Sequence, residues 1–478
     1  TKVSTTDAQG NSSAYLTVKG IGSYTGVSEK KYFTIKAKSI ADISVKATIE
    51  DLAVKTSAQT VKAVVKDGTK TLNSSNYEIA EVKKVDDDGD STPVEDGKVK
   101  DAGSYTATLR GRNNYTGTRE IAFRVLDQQF LISYATIKTN KQVYTGSAIR
   151  LVTTGDNAGL VVTSKNGTVL TEGTHYTVTY ENNIKAGTAK ILITGIGDYG
   201  GTKKASFTIA KRTMNAMDKA AGMSAEQLAK NGFIQLELVP DDIYGTAQYY
   251  TGYKLEPALK VTALNDGKTV SLKKGTDYTV TYKNNIRVGG KATIVIKGKG
   301  NYSGSVTFQN AFEVLDRNLD DLVVSINPVT YTGKAIKPEI SFVDKATGVA
   351  VKLKQGTAYS ISYKNNIKVA GKDSSKQPYV IIKEKGMRLS GEKKSETVNF
   401  TVTTAAITNQ NVQEIPAQTY KGKSVTPKVK ITVNGKTLVS GRDYLITYQD
   451  NEGKGCATAR ITGIGNYAGT VTKTFVIK

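Results

Sequence analysis

Polar and apolar positions alternate in short runs along this chain, and the runs recur. In "DYLITY", Tyr444, Ile446 and Tyr448 fall on one face, Leu445 and Thr447 on the other. In "TAKILITG", Ala189, Ile191 and Ile193 alternate with Lys190, Leu192 and Thr194. β-Branched and aromatic residues fill these runs and Gly or Asn punctuates them, which predicts β-strands. "YENNIKAG", "YKNNIRVGG" and "YKNNIKVAG" place Asn-Asn and Gly where a hairpin needs positive φ. A second short element opens four units, at Tyr144, Tyr250, Tyr331 and Tyr420. Pro comes after it in three of them, which predicts an edge strand. One stretch breaks the pattern: "RTMNAMDKAAGMSAEQLAKNGF", Arg212 to Phe233. Ser224 with Gln227 forms a capping box and Gly232 is a stop signal, so a short helical insertion is expected near 213–231. On such a helix Met214, Met217 and Met223 would either pack on their own domain or line a contact surface.

The runs assemble into a larger repeat. "THYTVTYENNIKAGTAKILITGIGDYGG" from Thr174 is echoed from Thr276, Thr357 and Arg442, the third echo with an insert, "KDSSKQ". The Tyr of a recurring glycine–tyrosine turn falls at Tyr24, Tyr115, Tyr199, Tyr302 and Tyr467, and in one copy the turn is altered to "KGMRLSG". A unit of about 80–100 residues is longer than solenoid repeats and suits an independent sandwich of seven or so strands. The expected organisation is a partial repeat over 1–38, a divergent repeat over 39–126, and further repeats over 127–211, 212–315, 316–404 and 405–478. The fourth of these six carries the helical insertion at its start.

The order YTG…P, then DYxVxYxNN, then GxGNYxG before a closing strand, resembles the bacterial immunoglobulin-like repeats of Gram-positive, Clostridia-type surface proteins. The resemblance implies an all-β chain of tandem immunoglobulin-like β-sandwiches in an elongated array. It also implies an extracellular setting, secreted or attached to the cell wall, where such repeats serve as stalks, adhesin arms or binding scaffolds. The alternative it leaves open is a glycan-binding or spacer region of a larger secreted polysaccharide-active enzyme. Host proteins or glycans are the partners it suggests.

Composition fits that picture. The 478 residues include 45 Gly and a single Cys, Cys456, so no intrachain disulfide can form. No apolar run is long enough to span a bilayer. With 66 Lys plus Arg against 43 Asp plus Glu the formal charge is +23. The basic residues are spread along the chain with no nucleic-acid motif, so nonspecific contact with anionic cell-wall polymers is expected and specific nucleic-acid binding is not.

Candidate chemistry is sparse. "GIGDYGG" matches the dinucleotide spacing G-x-G-x-x-G through Gly195, Gly197 and Gly200. A predicted strand rather than a helix comes after it. The relatives "GRNNYTG", "GKGNYSG" and "GIGNYAG" lack the third glycine, so Gly200 reads as a chance completion. The lone His175 occupies a position held by Asp277, Ala358 and Asp443 in other copies and reads as an exposed turn residue. Cys456 aligns with Thr188 and reads as a tolerated substitution. Asp86, Asp88 and Asp90 are spaced like the start of a calcium loop, but Ser91 and Gly97 stand where that loop needs Gly and Glu. A solvated hairpin extension is the expectation there. No catalytic residue, metal ligand or cofactor is expected, and the chain is not expected to be an enzyme. Recurring tyrosines such as Tyr176, Tyr278, Tyr359 and Tyr444 suit core packing. Only Tyr244, Tyr249, Tyr250 and Tyr253 exceed the pattern, and they form the one candidate ligand-binding patch, for stacking on a sugar.

Overall fold

The computed structural model describes residues 2–6, 12–370, 375–388 and 392–478. The described residues form tandem immunoglobulin-like β-sandwiches, almost entirely β, with one short α-helix. The chain divides into two compact units, Thr1–Thr213 with Gly300–Tyr302, and Met214–Lys299 with Ser303–Lys478. Among the described residues no helix is long and apolar enough to cross a membrane.

The repeat over 127–211 shows how sequence becomes sandwich. Strand Thr136–Thr139 pairs antiparallel with Leu160–Thr163 in one sheet. The other sheet runs Gln142–Val143, Thr202–Ala210, Gly187–Gly195, Tyr176–Glu181, its first pair parallel and the rest antiparallel. Ala189, Ile191 and Ile193 are buried while Lys190 points to solvent, as the period of two demands. They meet Leu160, Val162, Tyr176 and Phe207 in a single core. Each such buried side chain contributes about 1.5–3 kcal/mol by leaving water.

The Tyr-Thr-Gly element is not itself a strand. In three repeats the parallel edge strand lies just ahead of it, at Gln142–Val143, Gln248–Tyr249 and Val329–Thr330, each paired with the end of its repeat's last strand. The segment after the tyrosine is irregular, and the prolines Pro257, Pro338 and Pro427 lie there. It is fixed by the second Asn of the Asn-Asn pair. Asn183, Asn285, Asn366 and Asn451 each donate a side-chain N–H to a backbone carbonyl, of Ile149, Leu255, Ile336 and Val425 respectively, at 2.7–3.0 Å. The amides of the same four residues donate back to the Asn carbonyls at 2.8–2.9 Å. The first residue of the pair supplies the turn: Asn182, Asn284, Asn365 and Asp450 have φ between 53° and 58°. A strand tyrosine just ahead of the clamp closes the same segment, since the Tyr282 and Tyr448 hydroxyls donate to the carbonyls of Pro257 and Pro427.

The expected short helical insertion is present, flanked by strands. Arg212–Ala216 and Asn231–Leu238 are extended, a 3-10 turn covers Met217–Ala220, and the α-helix spans only Ala225–Lys230. Its Ser224–Gln227 capping box is present. Gly232 lies inside the next strand rather than ending the helix, which closes at Asn231. Six residues are too few to hold a helix by propensity, and strand Asn231–Leu238 gains more by pairing with Leu259–Asn265. No methionine face forms: Met214 is buried and Met217 half exposed.

In the repeat over 39–126, Tyr77–Val85 pairs with Ser91–Pro93 across the acidic loop. Asp86 accepts the Asp90 amide through its carboxylate at 2.8 Å, and the loop closes as a hairpin. Among the described residues no group of His, Cys, Asp and Glu is placed to hold a metal ion. The partial repeat contributes one strand pair, Ala14–Leu16 with Lys31–Phe33. The insert beginning at Lys372 and the altered turn ending at Gly391 lie partly outside the described residues.

Candidate functional site

The glycine–tyrosine turn is the point where one repeat is joined to the next. In the last repeat the turn Gly463–Gly469 pairs in parallel with the chain entering that repeat, Ala405 against Tyr467. The Ala405 amide donates to the Asn466 carbonyl at 3.0 Å, and the Ile407 amide to that of Ala468 at 2.8 Å. The Asn466 side chain reaches the preceding repeat and accepts the Val369 amide at the tip of its Asn-Asn hairpin, 2.9 Å. The Tyr467 ring meets the edge of Tyr331, the Tyr-Thr-Gly tyrosine of that preceding repeat, with centroids 5.4 Å apart. Burial, then the neighbouring Tyr331 phenol and Asp443, push the Tyr467 hydroxyl up to about 12.

The same contacts recur in the first unit. Asn114 accepts the Val3 amide at 2.9 Å, and Asn301 accepts that of Ala186 at 3.0 Å. Tyr144 meets Tyr302 edge-on at 5.7 Å. The first glycine of the turn has no substitute, because a Cβ on Gly463 would sit 2.8 Å from the Ala468 backbone nitrogen.

"GIGDYGG" is built differently. Its repeat comes after the divergent one, where Val54 stands at the Tyr-Thr-Gly tyrosine position and donates its amide to the Leu126 carbonyl as Tyr331 does to that of Thr403. With no ring to stack on, the joint is charged. Arg124 donates to the carbonyls of Gly197 and Tyr199 at 2.7 and 2.8 Å and pairs with Asp51 at 3.0 Å. A Cβ on Gly200 would lie 2.1 Å from the Asp51 carboxylate oxygen and 2.7 Å from the Leu126 side chain. A Cβ there would have to push aside the ends of the Asp51 and Leu126 side chains, so glycine is the residue this joint accommodates with least movement. The strand Thr202–Ala210 after it, in place of a helix, removes the anion-binding helix terminus that a dinucleotide needs.

His175 is half-buried, not an exposed turn residue. Its Nδ1 accepts the Thr171 amide at 2.9 Å, and its ring meets Tyr199 at 5.1 Å. Asp277 and Asp443 accept the corresponding amides of Lys273 and Val439 at 2.9 Å. In these three copies the position supplies a side-chain acceptor, as imidazole or carboxylate, whereas the buried Ala358 of the fourth has none. Cys456 is exposed in strand Gly455–Gly463, opposite Val476.

The four candidate sugar-stacking tyrosines do not form one platform. Tyr250 is buried, with its hydroxyl on the Thr357 carbonyl at 3.2 Å. It takes the seat of the joint tyrosine where the next repeat has the altered turn. Tyr244 and Tyr249 pack together at 5.2 Å, and the buried Arg317 guanidinium lies 5.1 Å from both rings. Asp344 accepts the Tyr244 hydroxyl at 3.1 Å. Burial raises the Asp344 carboxyl, but that bond and those from Thr347 and Ala346 outweigh it and hold the group below its ordinary value. Tyr253 is separate, with Lys352 and Lys354 over its ring. Tyr244, Tyr249 and Tyr250 thus make structural contacts, while Tyr253 stays exposed. Their doubling marks a rebuilt joint, where Met387 stands at the Asn position and accepts the Arg317 amide through its carbonyl.

At the same joint Glu384 is buried. It accepts the amides of Leu319 and Lys394 and two hydrogen bonds from Arg388. Burial raises its pKa, but these donors outweigh it and keep the carboxyl below its usual value.

No family model and no curated protein match the chain. Among solved structures it is similar to the M60 catalytic domain with the CBM51-1 and CBM51-2 domains from Clostridium perfringens ZmpB, at 13% identity and a TM-score of 0.17, covering 92% of this chain and 40% of that one. Sidekick-1 immunoglobulin domains 1–5 match at 11% identity, TM-score 0.15, covering 91% and 99%. The Protocadherin GammaB4 extracellular domain matches at 10%, TM-score 0.13, covering 90% and 83%. The chain spans 40% of the length of the first of these. Likenesses at this level carry no argument about what the chain does.

Proposed function

We propose that the chain is a non-catalytic extracellular spacer and binding scaffold, a stalk or adhesin arm of a Gram-positive surface. The observation that carries this reading is the repeated joint. The Asn of the turn caps the previous hairpin at Asn114, Asn301 and Asn466, the kind of contact that holds successive domains in register. Such a linkage suits a chain that must present a surface at a distance. The +23 formal charge supports a second element, loose attraction to anionic wall polymers, which salt screens.

The test is a panel of purified matrix proteins, immunoglobulins and polysaccharides, offered to the chain at low salt and at about 0.5 M salt, where the screening length is only a few ångströms. The same polysaccharides are assayed for hydrolysis. Retention that outlasts the high salt identifies a bound partner. Retention at low salt alone supports the spacer role. Turnover of any polysaccharide overturns the reading.

A further inference from the structure

The repeat over 212–315 has a feature that its neighbours lack. In the repeats over 39–126, 127–211 and 405–478 the last two strands pair without a break. Here the ladder between Lys291–Gly298 and Ser305–Leu315 shifts register between Ala292 and Ile294. The extra residues bulge at Gln309 and Asn310, and Asn310 adopts φ 52° to make the bend. A bulge of this kind re-aims side chains and is often found beside functional sites.

The bulge opens onto the repeat's Asn-Asn hairpin. Together they border an open cleft of about 630 Å³ lined by the exposed Asn284, Arg287, Lys291, Gln309 and Asn310 and the buried Thr293, among others. The lining contains two cations and no carboxylate. Glu313, the cross-strand partner of Lys291, is the nearest acid in register. Thr293 is buried and donates its hydroxyl to the Gln309 side-chain oxygen at 2.9 Å, which leaves the Gln309 amide nitrogen to donate outward. No described residue bonds or pairs with the side chains of Asn284, Arg287, Lys291 or Asn310.

The hairpin tip is also released from its structural duty. Val288 stands where Val369 and Ala186 donate their amides to the turn asparagines Asn466 and Asn301. The next repeat has Met387 at that asparagine position, so no side-chain acceptor caps Val288 there. A loop freed from the joint, a bulge special to one repeat and a set of unpaired donors coincide in one cleft.

We propose that this cleft binds a carboxylated sugar, with Arg287 and Lys291 on the carboxylate and Asn284, Gln309 and Asn310 on the ring hydroxyls. A guanidinium gives a carboxylate two parallel N–H donors, and amides match vicinal hydroxyls, which donate and accept. This rests on the scaffold reading above and gives it a ligand class. Hexuronates and sialic acids share the required chemistry.

The full chain is titrated with tetragalacturonate, with its methyl-esterified form, with sialyllactose and with lactose, at about 0.3 M salt to suppress diffuse attraction. Binding of at least one carboxylated probe is expected, with its neutral counterpart at least tenfold weaker. Arg287→Gln is expected to weaken that binding at least tenfold. Deleting Gln309 and Asn310, which restores the plain ladder, is expected to abolish it with the circular dichroism spectrum unchanged. Lys190→Gln, an exposed charge change in another repeat, should leave it untouched. The proposal is overturned if neither carboxylated probe binds, or if Arg287→Gln and Lys190→Gln weaken binding equally. A panel partner retained at high salt by both wild type and Arg287→Gln would sink this site and leave the scaffold reading standing.

Discussion

Two joints do the same task with different physics. Between the last two repeats the contact is neutral: a ring against a ring, Tyr331 on Tyr467, and an asparagine capping a hairpin amide. Between the repeats over 39–126 and 127–211 it is ionic, with Arg124 holding two carbonyls of the turn while Asp51 holds Arg124. The backbone course is shared, since Ile132 donates to the Gly200 carbonyl as Ile407 does to that of Ala468. Upstream, Val54 replaces the joint tyrosine, and in the turn itself Asp198 stands where the neutral joint has Asn466. Where the neutral joint has a ring this one has the Arg124–Asp51 pair, and the Asp51 carboxylate lies where a Cβ on residue 200 would go. A change in one repeat is thus recorded in the motif of the next.

Removing the guanidinium should have the largest effect. Arg124→Met strands a half-buried carboxylate and two carbonyls, and a loss of about 3 kcal/mol of local stability is expected. Hydrogen exchange at the Gly200 and Ile132 amides reads it, and exchange at Ile407 should stay unchanged. Protection at Gly200 equal to wild type would show that the charged pair is ornamental.

The glycine test is sharper, because the same motif position has opposite consequences. Gly200→Ala should cost about 2 kcal/mol by overpacking against Asp51, whereas Ala468→Gly in the neutral joint should cost well under about 1 kcal/mol. Equal effects in denaturant melts of the two variants would refute the account of Gly200. Asn466→Ala comes next, at about 1 kcal/mol for an amide left without its acceptor, and this loss should not depend on salt while that of Arg124→Met should.

The last expected effect is absent at neutral pH and is seen only in alkali. Tyr467 has its hydroxyl raised from 10.0 to about 12, so the fold favours its neutral form. That stabilisation is complete below about pH 10 and is lost as pH rises through about 12. Tyr467→Phe should flatten this alkaline dependence in the last repeats and leave the Arg124 joint as it was. An unchanged alkaline limb would place the titration elsewhere.

Much of the fold was legible because strand alternation is local. Ala189, Ile191 and Ile193, or Tyr444 and its neighbours, need only their own spacing to declare a face. The first Asn of each Asn-Asn pair was legible for the same reason, since positive φ is a local demand. The second was not, because Asn451 answers to Val425 across the sandwich. The helical insertion was legible from its Ser224 capping box, but its end was not: strand Asn231–Leu238, paired with Leu259–Asn265, claims Gly232. The candidate tyrosines are a different case. Their excess over the pattern was real, yet the sequence could not show that Arg317 and the Thr357 carbonyl already occupy them. The cleft at Gln309 and Asn310 left a faint trace, two residues more than the other copies carry before the closing strand.

The repeat, the strands and their inward faces follow from local spacing alone, because each depends on neighbours a few positions away. The task of the glycine–tyrosine turn emerges only in the folded chain. Its asparagine, its ring and, in one copy, its third glycine act on residues of the preceding repeat, and no local periodicity carries that information. Gly200 is the clearest case: the space a Cβ would take is held by the Asp51 carboxylate, far upstream in the preceding repeat, which would have to move aside for any side chain.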